Sequence, residues 1–280
     1  MNQMVLQSLE GVGKPALFVF VASTLCFWLS KEHPRVRAVL LGLIGASGIV
    51  WAYSSATGGL VFPPRETTHW IPYIAGVAAV AGCIRLWFWR HFWGAMVSLG
   101  TGLTFFGSQI AANTGVLLWI LAITLALTAT ATLLDIVEDR CSGAELSIGL
   151  ALAATFSGVA LFLSGSAVLG QISGAVGLLL AGVGVLAFVA NATVGAVIPF
   201  LYVFILGSLL LVGCLFSGLP WIAGALLWLA PWSLLFGQRI ERPRLFSRAG
   251  ALLIRLIGVV VLAGLALASV YLLAQPGTEY

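Results

Sequence analysis

Apolar runs of about twenty residues, the length a helix needs to cross a hydrocarbon core roughly 30 Å thick, recur along the whole of this chain. They are Pro15–Ser30, Ala38–Thr57, Trp70–Trp87, Phe92–Ala112, Gly115–Val137, Ala144–Leu163, Val168–Ala190, Ala196–Phe216, Pro220–Phe236 and Ala249–Ala274. Water is absent at that depth, so each run must satisfy its own backbone hydrogen bonds, and a helix does so. A transmembrane barrel would instead show short segments of alternating polarity, and none is present in the sequence. Charged residues make up only 8% of the chain, against about 25% in soluble domains. The expected fold is all-α: one polytopic transmembrane helical bundle of about ten spans over residues 1–280, with no separate soluble domain. A missed break near Ser164–Gln171 or Asn191–Gly195 would leave eight or nine spans.

Charge placement orders the spans. Lys31, Arg35 and Arg37, then Arg85 and Arg90, then Arg140, then Arg239, Arg242, Arg244 and Arg248 are grouped with the loops after odd-numbered spans, Arg85 at the very end of its span; Arg65 follows an even one and Lys14 precedes the first. The positive-inside rule therefore puts both termini on the periplasmic side of a bacterial inner membrane. Loops facing anionic headgroups account for the net charge of +4, so the lipid bilayer is the expected partner and nucleic acid is not. Other membrane proteins are further candidate partners. The first span is expected to be retained, because the residues before it are not strongly basic and no A-x-A site follows. The four cysteines, Cys26, Cys83, Cys141 and Cys214, are widely spaced, which predicts neither a disulfide nor a zinc site.

Few residues are candidates for chemistry. Thr124, Thr128, Thr132 and Asp135 recur at spacings of four, four and three, on one face of the fifth span. Such a stripe either lines an aqueous path or hydrogen-bonds a neighbouring helix or its own carbonyls. Gln109, Asn113 and Gln171 pose the same choice. Arg255 stands well inside the last span, where it either snorkels to the boundary or pairs with Asp135 or Glu145. Asp135, Glu138 and Asp139 form a single acidic cluster, without the second cluster of a Mg²⁺-diphosphate site, and read as a solvated helix end. His33, His69 and His91 flank spans rather than lying inside them, so no haem is expected. Gly45-Ala46-Ser47-Gly48 lacks a buried base to activate its serine. No catalytic residue, metal or cofactor is therefore expected. Glycines at helical spacing, such as Gly170, Gly174 and Gly177, predict close helix packing. Pro231, inside the ninth span, predicts a kink.

Phe62–Tyr73 is the longest polar interruption in the first third of the chain. Its prolines predict an extended, turn-rich connector, with Thr68 as the cap of the third span and Arg65, Glu66 and His69 as candidate loop contacts. Pro63-Pro64-Arg65-Glu66-Thr67-Thr68 before Trp70-Ile71-Pro72, and Ser164-Gly165-Ser166 before Gly170-Gln171, resemble a family of bacterial polytopic membrane proteins of uncharacterised function. That resemblance implies a fold and no activity. In span count the chain is also similar to drug/metabolite-type transporters, without their internal repeat. The expectation is a non-catalytic subunit or scaffold of a membrane assembly. The alternatives are a small-molecule or lipid-precursor transporter and, third, a membrane enzyme acting on lipid-linked substrates.

Overall fold

The computed structural model describes residues 3–86, 90–106, 115–240 and 248–273, so Gln109 and Asn113 lie outside the described residues. Ten α-helices follow one another: α1 Gln3–Leu29, α2 Pro34–Thr57, α3 Ile71–Arg85, α4 Arg90–Phe106, α5 Gly115–Glu138, α6 Gly143–Leu163, α7 Ala167–Ala190, α8 Val197–Phe216, α9 Trp221–Leu229 and α10 Arg248–Leu273. Among the described residues, eight helical stretches are long and apolar enough to cross a membrane. The chain is a multi-pass, all-helical bundle suited to a lipid bilayer.

The two doubtful breaks are both true turns, each built by a residue that suits it. Ser166 accepts a hydrogen bond from the Leu169 N–H and so caps α7, after Gly165 has taken a positive φ of 100°. At its other end α7 stops on Asn191, whose φ of 47° is left-handed, a conformation its short polar side chain tolerates. Pro231 does more than kink its helix: from Ala230 to Ile240 the chain after α9 winds on as a 3-10 helix. Thr68 is not the cap of α3. It lies inside a 3-10 turn, Thr67–Trp70, that leads straight into the helix.

Helix α8 is the axis of the bundle. It carries no charged residue, and a helix that is apolar all round belongs in the interior. Of its membrane window 89% is buried, against 28% for α1 and 22% for α10. Helices α2, α3, α5, α6, α7 and α9 pack on it, while α1, α4 and α10 lie mainly outside that ring. The closest helix pair is α6 with α7. A Cβ added at Gly158 would lie 2.9 Å from the Gly170 carbonyl oxygen, and one at Gly170 would lie 2.9 Å from that of Gly158. The Ser173 hydroxyl donates across the same seam to the Ala154 carbonyl at 2.8 Å.

Candidate functional site

The chain's charged chemistry is concentrated at the end of the bundle where α3 and α5 finish and α6 and α10 begin. Three arginines there, Arg37, Arg85 and Arg255, are buried rather than solvated. Each ties together elements distant in sequence. Arg37 donates from Nε to the Thr193 carbonyl at 3.1 Å and lies 5.6 Å from the Phe27 ring centroid, holding the α7–α8 connection against α2 and α1. Arg85 pairs with Asp135 and stacks 4.2 Å from the Phe200 ring centroid, which joins α3, α5 and α8. Arg255 pairs with Glu145 and donates to the Cys141 Sγ at 3.4 Å, which joins α10 to the α5–α6 turn.

Three sequence expectations are corrected here. Arg255 does not snorkel: it is 2% exposed and pairs with Glu145, while Asp135 pairs with Arg85. Nor does Asp135 belong to a solvated helix end. It is buried, whereas Asp139 and Arg140 beyond it are exposed. Arg37 and Arg85, expected with the loops, both lie within helices. A charge held in hydrocarbon is stabilised by a partner, and pairing across helices also fixes how those helices sit. Glu145 does two jobs. Its carboxylate accepts from the Ser142 N–H and its own N–H donates to the Ser142 hydroxyl, a reciprocal cap at the start of α6.

The α5 stripe faces its neighbours. Thr128 donates to the Ser98 hydroxyl of α4 at 3.0 Å, and Ser98 in turn donates to the Gly94 carbonyl at 2.7 Å. Thr124 turns back to the Ile120 carbonyl of its own helix at 2.7 Å. Thr132 is half-buried, between Thr128 and the Asp135–Arg85 pair along the helix. The stripe thus meets α4 through Thr128 and α3 through the Asp135–Arg85 pair. The spacing does not single out Thr130, which is buried on another face and accepts from Trp232 Nε1 at 3.3 Å. No group of three or more metal-ligating side chains occurs among the described residues.

Compared with known protein families, curated proteins and solved structures, the chain matches none.

The Phe62–Tyr73 connector is stapled from within. The Arg65 and Glu66 N–H groups both donate to His69 Nδ1 at 3.3 Å, and the Glu66 carboxylate lies 3.9 Å from His69 Nε2. The Tyr73 hydroxyl donates to the Val61 carbonyl at 2.8 Å, and the Phe62 and Trp70 rings flank Tyr73 at 6.2 and 6.3 Å. Arg65 and Glu66 keep their side chains exposed, while His69 is half-buried as the knot of the turn. Tyr73→Phe removes one hydrogen bond worth about 1 kcal/mol. It is expected to speed proteolysis within residues 58–70 while leaving the unfolding of the helical bundle unchanged.

Proposed function

We propose that the protein is a non-catalytic subunit or scaffold of a membrane assembly in a bacterial inner membrane, with both termini on the periplasmic side. The observation that carries this reading is the closure of the α5 stripe. Thr128 meets Ser98 of α4 and Asp135 meets Arg85 of α3, as in a packing seam, and Thr124 is satisfied by the Ile120 carbonyl of its own helix. Helix α8, the place for a central path, is wrapped apolar surface. Supporting the orientation, Lys31, Arg35, His91 and Arg140 are exposed at the same end as the three buried arginines. A scaffold of this kind works by holding a fixed shape in the bilayer, and the arginine clasps serve that end.

Thiol labelling tests it. With Cys26, Cys83 and Cys214 replaced by alanine and Cys141 by serine, Thr128→Cys is expected to resist a small membrane-impermeant maleimide in intact cells and in inverted vesicles. Phe62→Cys, at an 84% exposed loop position, is expected to label in intact cells, and Lys31→Cys only in inverted vesicles. Labelling of Thr128→Cys from either side would replace the scaffold with the transporter. One observation favours that second reading: the pairs Arg85–Asp135 and Arg255–Glu145 lie at one end of the bundle, where a gate that exchanges charge partners would be placed.

A further inference from the structure

The wall around α8 has a slot. Helices α5 and α9 both pack on α8 but hardly touch each other. The slot between them is an apolar recess of about 170 Å³, walled by Ile123, Ala126, Cys214, Trp221, Ala225 and Trp228. It is bridged at both ends. Towards the start of α9 the Trp119 and Trp221 rings meet at 5.7 Å. Towards the arginine-rich end Trp232 Nε1 donates to the Thr130 hydroxyl. The floor is set by contact rather than by missing side chains. A Cβ at Gly207 would lie 2.7 Å from a Leu127 methyl and 2.9 Å from the Trp228 ring, and one at Gly224 would lie 2.6 Å from the Cys214 sulfur.

We propose that this recess is a binding site for one acyl chain of a bilayer glycerophospholipid. Enclosed apolar cavities near 150 Å³ accept apolar ligands; this recess has a similar volume and an almost wholly apolar lining, and it is open on one side. Its lining on α8 extends from Gly207 to Cys214, about 10 Å of helix at 1.5 Å per residue, a length that several methylenes of an extended chain can follow. A third helix, about 10 Å across, cannot enter a slot that is bridged at both ends, whereas a thread-like chain can lie in it. Its mouth opens at hydrocarbon depth, where acyl chains are the solvent. Trp119 and Trp221 stand at the rim, the level at which aromatic rings meet headgroups. A chain hanging from a headgroup there reaches the recess beside them.

The test uses the full-length protein in nanodiscs of phosphatidylethanolamine and phosphatidylglycerol doped with a phospholipid carrying a diazirine in one acyl chain. After irradiation, cross-linked peptides are expected to concentrate on residues 207–214 and 221–228. Ala225→Trp fills the slot from an exposed wall position and is expected to reduce that cross-linking about tenfold, the loss when a couple of methylenes forfeit their burial. Ala126→Phe does the same from the opposite wall, and serves if Ala225→Trp does not fold. Cross-links spread evenly over α1, α7 and α10, or insensitive to both substitutions, would reduce the site to ordinary annular lipid and overturn the proposal. So would preferential labelling by a polyisoprenyl diazirine, or cross-linking between two copies of the chain through Cys214.

Discussion

Asp135→Ala is expected to destabilise the protein by about 3–5 kcal/mol, the usual cost of removing one partner from a buried ion pair. Arg85 and Asp135 are 2% and 5% exposed, so water does not compensate the lost carboxylate. The Phe200 ring face remains, but a ring supplies only part of what a carboxylate does for a guanidinium. Replacing both charges, Arg85→Met with Asp135→Leu, is expected to recover much of the loss, because apolar substitutes of similar size avoid the desolvation cost altogether. Reversible unfolding of the single and double variants in detergent micelles measures this as a coupling energy. A single variant within about 0.5 kcal/mol of the parent would mean that the pair does not hold α3 to α5.

The second large effect is expected at Gly158. There the neighbours of a new Cβ are backbone atoms, the Gly170 oxygen at 2.9 Å and the Gly174 nitrogen at 3.0 Å, and backbone cannot swing aside as a side chain can. Gly158→Val must part α6 from α7 and stretch the Ser173–Ala154 hydrogen bond. Overpacking usually costs about 1–3 kcal/mol and sometimes more, and this site should fall at the upper end. Gly76→Ala is the control, since nothing lies within 4 Å of its Cβ. In a helix interior that change should be neutral or stabilising by up to about 1 kcal/mol. Thermal unfolding of the two variants side by side decides it: equal melting temperatures would mean that the α6–α7 seam is looser than its backbone distances.

Not all of the site could be read from residue patterns. Thr124, Thr128, Thr132 and Asp135 are visible as a stripe because helical periodicity puts them on one face, but periodicity does not say which helix that face meets. The spacing leaves Ser98 of α4 unmarked as a partner. Arg85 carries a sequence signal of its burial: Leu86 and Trp87 follow it, so it sits inside the apolar run rather than beyond it. Glu145 had one too, since Ser142-Gly143-Ala144-Glu145 has the S-x-x-E form of a capping box. Arg37 had none, because the Thr193 carbonyl it binds lies 156 residues away.

By itself the sequence determined the all-helical, multi-pass character of the protein, most span boundaries, and the gathering of basic residues at one end. These follow from hydrocarbon thickness, from backbone hydrogen bonding without water, and from charge, all of which act locally along the chain. Only the tertiary structure decided that α8 is the axis, that Asp135 belongs to Arg85 and Glu145 to Arg255, and that a slot stays open between α5 and α9. In lipid the hydrophobic effect does not choose among helix neighbours. That choice falls to close packing and polar pairing between faces distant in sequence, which exist only once the bundle has formed.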